Sequence, residues 1–280
     1  MRLEQALRRK LESLTMLGEA INAMKSLSAH HLRAAREGLA SARAYRDGID
    51  ALIASAGIAQ VAPPTHATAL LLIAADLGLC DGYNSRLVDT ALEQQSLQSA
   101  TQFYCVGKRP LTALHRANVQ VTRSYPTVTS VAGLTRLLLT LADDVFGDYL
   151  AGAFSSLHVI SARFEGVGAF TPRATRVLPV VSTHTVEHTA ATPYASARHL
   201  AESAVREYIY STLFELLLDA LASEHGARLV ATQAAGDWLD TRVKTLQRQL
   251  SSARRESSTQ EVLDVAGGAR HRRRRSASAG

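Results

Sequence analysis

The sequence predicts an α/β protein: a long antiparallel coiled coil of N- and C-terminal helices plus a central Rossmann-like α/β domain. Three observations predict it. All 7 prolines fall between Pro63 and Pro193, so both ends are free to form long helices and the middle is not. Apolar residues recur with a broken heptad spacing at both ends. The middle alternates β-branched runs with helical stretches, the pattern of a parallel or mixed sheet with crossovers. The expected division is a first helix over 1–60, the α/β domain over 65–190, a second helix over 195–269 and a basic disordered tail over 270–280.

In the first helix Leu7, Leu14, Ile21, Ala35, Ala42 and Ile49 share one heptad position. Leu11, Leu32, Leu39 and Ile53 share the other, while Gly18, Lys25, Ser28 and Arg46 interrupt the seam. Such a seam specifies an imperfect coiled coil. In the middle, ATALLLIAA, QFYCVGKRP, NVQVTRSYP, LHVISARF and RATRVLPVV read as strands bounded by Gly and Pro. In the last helix Leu239, Val243, Leu246, Leu250 and Ala253 alternate steps of four and three. Upstream, YIYSTLFELLLDAL, Tyr208 to Leu221, is apolar enough to be buried against the middle domain. A helix from Ser196 to Asp264 would be on the order of 100 Å long at ~1.5 Å per residue. That length needs a partner helix, and Gly267-Gly268 is the expected stop.

Bulk composition narrows the class. With 280 residues and 46% hydrophobic content the chain can build a sizeable core, and its 5% aromatic content suits long helices better than a compact enzyme. A net charge of +6 fits an acidic protein, nucleic acid or an anionic surface without choosing among them. Two cysteines, Cys80 and Cys105, do not make a disulfide framework and point to a reducing compartment. The MRLEQALRRK start has no apolar segment of a signal peptide, and no run reaches the ~20 apolar residues of a membrane span.

Motifs for chemistry are sparse. His184, Glu187 and His188 match a zinc-peptidase string, but that chemistry needs a helix, and these residues lie between Pro179 and Pro193 in a strand or loop pattern. Gly107-Lys108 lacks the phosphate-loop frame and reads as a turn. The glycines after the first strand make no dinucleotide fingerprint, and there is no G-x-S-x-G elbow. His30 and His31 are adjacent, so on a helix they face different directions. Arg270 and Arg272 to Arg275 form a basic tail without the interleaved aromatics of a nucleic-acid site. No catalytic residue, cofactor site or metal site is expected.

Particular strings carry a family resemblance. Residues 223–269 read SEHGARLVATQAAGDWLDTRVKTLQRQLSSARRESSTQEVLDVAGGA, similar in spacing to the C-terminal pattern SE-x-x-ARM…TQE…GGA of ATP synthase gamma subunits. Ala23-Met24-Lys25 and Leu32-Arg33-Ala34-Ala35 look like that family's AMK and LRRA stretches. Asp76 to Ser85 looks like its DRGLCGGLNS turn. The chain departs from the pattern at Leu77, where an Arg is usual, at Asp81 in place of Gly, at Arg255 in an Arg-Gln pair, and in its arginine tail.

The resemblance implies a central rotor shaft of an F-type ATP synthase, coupling ion translocation to ATP synthesis or hydrolysis at the alpha and beta subunits. It implies alpha, beta and epsilon subunits and a membrane c-ring as partners, with no nucleic acid and no membrane insertion. It implies a peripheral place on the cytoplasmic face of a bacterial plasma membrane. It makes Met24, Lys25, Arg254, Arg255 and Gln260 rotor–stator contacts; read without it, each is a solvated helix face or a seam residue. The alternative is a coiled-coil interaction or nucleic-acid-binding protein with an α/β insertion, which the tail favours and the TQE…GGA block does not.

Overall fold

The computed structural model describes residues 2–55, 66–98, 102–180 and 197–277. The chain runs α1 (Arg2–Ser55), β1 (Thr68–Ile73), α2 (Tyr83–Gln98), β2 (Gln102–Val106), α3 (Lys108–Arg116), β3 (Arg123–Tyr125), α4 (Val131–Leu150), β4 (Ser156–Gly166), β5 (Ala169–Leu178) and α5 (Ala197–Ala277). The predicted class is the observed one: two long terminal helices and a central sheet. The division into compact units falls inside the helices. One unit is Met1–Met24 with Thr232–Gly280, and the other is Lys25–Ala231.

Within Lys25–Ala231 the sheet has the order β3-β2-β1-β4-β5. The first three pairings, β2 with β3 and β1 with both β2 and β4, are parallel, and β4 with β5 is antiparallel. β1 is apolar on both sides because both faces are covered. Leu71 and Ile73 join a core with α4 and the long helices, whereas Leu70 and Leu72 join one with α2 and α3. The apolar run Tyr208 to Leu221 is packed in the first of these, as its composition predicts.

The heptad seam of α1 is the buried edge of that helix. Leu32, Ala35, Leu39, Ala42 and Ile53 are buried, and so is Ser28, an interrupting residue. Arg46, another interruption, is accommodated by pairing with Glu215 of α5. Arg43 also reaches α5, donating to both carboxylate oxygens of Asp219 at 3.0 and 3.1 Å. Asp219 in turn accepts the Phe164 amide at 3.2 Å, so one buried carboxylate joins α1, α5 and β4. Gly38 faces α5: a Cβ there would stand 3.5 Å from the Leu218 side chain, an ordinary contact.

In the other unit Ile21, Leu239, Leu246 and Leu250 are buried, while Leu7, Leu11, Leu14, Val243 and Ala253 are half-buried. The four-three spacing read from the sequence is thus the contact face. The helix stop at Gly267-Gly268 is not observed: α5 continues to Ala277, through the stretch expected to be a disordered tail. Glycine in a helix costs about 1 kcal/mol relative to Ala, which weakens a helix without ending it unless the backbone turns left-handed. No helix among the described residues is long and apolar enough to cross a membrane.

Candidate functional site

Two sets of residues stand out. The first holds the charged contacts expected from sequence. Arg254, Arg255 and Gln260 are exposed on α5, and Met24 and Lys25 are half-buried on α1, on either side of the division between units. Arg254 already has a partner within the chain: its Nε donates to Glu4 Oε1 at 3.1 Å, and Glu4 also accepts from Arg8 at 2.7 Å. The hydrogen bonds from Arg8 and then Arg254 hold the Glu4 carboxyl below the usual range. Arg255 turns back along its own helix, donating from Nε to the Ser251 carbonyl at 3.3 Å. Arg254 is thus an oriented cation and Arg255 an exposed one.

The second set was not singled out as a site from sequence. It lies where β1 ends, in the turn Asp76–Gly82. Asp76 Oδ1 accepts the Lys108 amide at 2.6 Å and the Thr127 amide at 3.4 Å, tying the turn to the start of α3. Asn84 Oδ1 accepts the Ala75 amide at 2.9 Å. Leu79 and Asp81 have φ of 55° and 43°, in the left-handed region. This explains why the family pattern carries Gly where this chain has Asp81: the position demands positive φ, which Asp tolerates better than most side chains.

The turn is clamped from α5 by the motif Glu224-His225-Gly226-Ala227-Arg228. Arg228 donates from Nε to the Gly78 carbonyl at 3.2 Å and from Nη2 to the Leu77 carbonyl at 3.5 Å. Its Nη1 lies 2.7 Å from Glu224 Oε1, with both side chains almost fully buried. Nη1 also sits 3.4 Å from His225 Nδ1, and His225 Nε2 lies 3.1 Å from the Thr129 carbonyl. A neutral imidazole protonated on Nε2 satisfies both contacts. Burial first, and the Arg228 charge second, push the His225 pKa down to about 4. The His31 ring on α1 stands 5.0 Å from it. Burial raises the Glu224 carboxyl against the opposing pull of Arg228. The signal was present in the sequence as an i, i+4 Glu–Arg pair, the spacing that meets on one helix face. What it binds lies about 150 residues away in the chain, which spacing cannot reveal.

Between α2 and α3, beyond the C-terminal ends of β1 and β2, opens a cleft of about 780 Å³. Leu79, Asp81, Asp89, Lys108, Arg109 and Arg116 are among its lining residues. Cys80 also lines it, but burial raises its thiol, and burial pushes the Cys105 thiol up to about 12. Both are protonated at neutral pH and unsuited to nucleophilic attack. Among the described residues no group of three His, Cys, Asp or Glu is placed to hold a metal. The His184–His188 string lies outside the described residues.

The ATP synthase family model matches residues 4–270. The ATP synthase gamma chain of Desulforamulus reducens is 26% identical over 274 residues, spanning 94% of this chain and 96% of its own. That of Chromobacterium violaceum is 26% identical over 277 residues, spanning 93% and 96%. Of solved structures, a chain of the Euglena gracilis mitochondrial ATP synthase OSCP/F1/c-ring assembly superposes with a TM-score of 0.68 at 12% identity, covering 95% of this chain and 93% of that one. A chain of the Tetrahymena thermophila mitochondrial ATP synthase central stalk and c-ring gives 0.58 at 20% identity, covering 77% and 99%. At these identities the structures testify to the fold, and the sequence relatives to the family. The match runs through both blocks that meet in the buried clamp, the Asp76–Gly82 turn and the Glu224–Arg228 motif: this chain belongs to the ATP synthase gamma-chain family.

Proposed function

We propose that this gamma subunit works as the rotor shaft of a bacterial F-type ATP synthase and has no active site of its own. The observation that carries the reading is the unit formed by the two chain ends. Its described residues are all helical, are zipped by Ile21, Leu239, Leu246 and Leu250, and leave Arg254 and Arg255 exposed. A paired helix resists bending better than a single one, and its exposed charges give angle-dependent contacts to a surrounding housing. The alpha and beta subunits form that housing. The sheet-bearing unit is the part that meets epsilon and the c-ring. The structural neighbours belong to a central stalk with c-ring and to an F1 with c-ring, which supports these partners. In this reading ions moving through the membrane sector turn the shaft. The shaft then biases each beta site among its states by differential contact. The subunit acts peripherally, on the cytoplasmic face of the plasma membrane.

Met24, Lys25, Arg254, Arg255 and Gln260 are the proposed contacts with the stator. Glu4 fixes the direction of the Arg254 guanidinium, so that contact is set by both helices together. The test is reconstitution. The purified chain alone should neither bind nor hydrolyse ATP, and adding it to its alpha and beta subunits should give steady rotary hydrolysis. Tight nucleotide binding by the chain alone, or an alpha–beta assembly indifferent to it, would refute the shaft reading.

A further inference from the structure

A charge cluster within Lys25–Ala231 sits where α1, α5 and β4 meet, and no step of the function described so far uses it. Its cations, Arg43 and Arg46, lie three apart on α1, and its carboxylates, Glu215 and Asp219, lie four apart on α5, so each pair shares a helix face. Arg43 stands between the two carboxylates. Its Nη2 donates to both oxygens of Asp219 at 3.0 and 3.1 Å, and its Nε lies 3.4 Å from Glu215 Oε1. Arg46 takes the other oxygen of Glu215. The Asp219 and Glu215 side chains are only 5% and 13% exposed.

The cluster is tied to the sheet. β4 runs past β1, whose pairing with it ends at Leu72 and Ile160. There the Phe164 amide takes its acceptor from α5, donating to Asp219 Oδ1 at 3.2 Å. One turn further along α5, Ser223 Oγ donates to the Ala162 carbonyl at 3.5 Å. From α1 the Arg36 guanidinium lies over the Phe164 ring, 5.8 Å from its centre.

The neighbouring surface of α1 is smooth: Ala35 and Ala42 are buried, and Gly38 faces Leu218. Apolar contact is non-directional, so such a surface resists separation of the helices better than sliding of one along the other. Interleaved charges resist sliding. A slip of one helical turn, about 6 Å, strands one of the two carboxylates whichever way it goes. Leaving a buried charge unpaired is strongly unfavourable, whereas an intact buried pair adds little stability over well-packed apolar groups. The cluster therefore fixes register more than it fixes the fold.

Torque on a pair of helices acts in part as sliding of one along the other. We infer that Arg43, Glu215 and Asp219 form a shear lock that keeps α1 and α5 in register as torque passes between the sheet and the helices, with Asp219 joining the lock to β4. These are positioning residues, acting through the helices. The inference rests on the shaft reading, because only a rotor carries torque.

The experiment uses the full-length chain assembled with its alpha and beta subunits, the head fixed to a surface and a bead attached to the sheet-bearing unit. Torsional stiffness is read from the angular variance of the bead during pauses at limiting ATP, and thermal unfolding of each free chain is measured alongside. Arg43→Met with Asp219→Asn removes both charges of the closest pair and keeps an acceptor for the Phe164 amide. It should raise the angular variance about two- to fourfold, with melting within a few degrees of native. Arg43→Lys keeps the charge as a point that cannot span two carboxylates, and its variance should fall between those two. The control is Arg206→Met with Asp143→Asn, which removes an ion pair between α5 and α4 whose side chains are 64% and 62% exposed. It should leave the variance native. Native variance in Arg43→Met with Asp219→Asn would overturn the proposal. So would an increase that accompanies a large fall in melting, or one shared by the control, since either marks general loosening. If the double variant does not fold, Arg43→Lys decides, and native variance there overturns the proposal. A native complex whose bead does not rotate would instead remove the shaft reading beneath it.

Discussion

Replacing Arg228 with methionine keeps most of the side-chain volume and removes one charge of a buried pair. Glu224 and Arg228 are 2.7 Å apart with side chains only 4% and 3% exposed. The variant strands a carboxylate where water cannot reach it, which costs about 3–5 kcal/mol. The Leu77 and Gly78 carbonyls lose a donor as well, a smaller cost than an unpaired charge. The orphaned charge therefore dominates. For a unit of this size each kcal/mol moves the melting temperature by ~2–4 °C, so a fall of roughly 6–20 °C is expected. All 8 tyrosines lie between positions 45 and 210, inside Lys25–Ala231, so near-UV circular dichroism of tyrosine follows this unit. The single tryptophan, Trp238, reports the other.

The loss also has a pH signature. Burial already raises Glu224, and without Arg228 nothing opposes it. An acid whose folded pKa is raised binds its proton more tightly when folded, so it favours folding at low pH and loses that contribution as pH rises. The Arg228→Met variant should therefore be closest to native in acid and fall behind as pH rises through the carboxylate range. Adding Glu224→Met should recover most of the stability, since a buried pair replaced by apolar groups is often neutral. A single-variant loss below about 1 kcal/mol, or a double variant as unstable as the single, would refute the reasoning.

Three further outcomes are expected. His225 has a folded pKa of about 4, below the ordinary value of 6.5, so the unfolded chain takes up its proton first. Its contribution, about 3 kcal/mol, is fully present above pH 6.5 and is lost as pH falls toward 4; denaturant titrations at several pH values should show this slope, and His225→Gln should remove it. Arg254→Ala with Arg255→Ala should slow hydrolysis by the reconstituted complex while changing unfolding of the free chain by about 1 kcal/mol or less, as both side chains are exposed; a large fall in melting with normal turnover would make them structural. Truncation after Ala269 should leave assembly and hydrolysis nearly unchanged at moderate salt, and loss of most activity, mimicked by high salt in the full chain, would make the arginine tail a working contact.

By itself the sequence determined the elements and the family. Proline confined to the middle, a seam spaced by sevens and β-branched runs are local consequences of backbone and side-chain geometry, and the elements formed close to where those rules put them, except that α5 runs through Gly267-Gly268 to Ala277 and Lys108–Pro110 begin α3 instead of ending a strand. Most seam residues from Leu32 to Ile53 and from Leu239 to Leu250 are buried, with Ile49 and Val243 half-buried, because a helix period fixes which side chains share a face. Even the unusual Asp81 was visible as a departure, though its positive φ was not.

Tertiary structure decided what depends on groups far apart in the chain. Arg46, an interruption when read as a heptad residue, became a paired residue once Glu215 lay opposite. Arg254 acquired Glu4, 250 positions away, as the group that aims it. The Glu224–Arg228 pair, plain in the sequence as a helix-face spacing, became a clamp only when the sheet carried the Leu77 and Gly78 carbonyls to it. The physical reason is the same in each case. Periodicity reports which side of an element is buried, whereas a buried charge is stable only beside particular partners, and those are assigned by the packing of the whole chain.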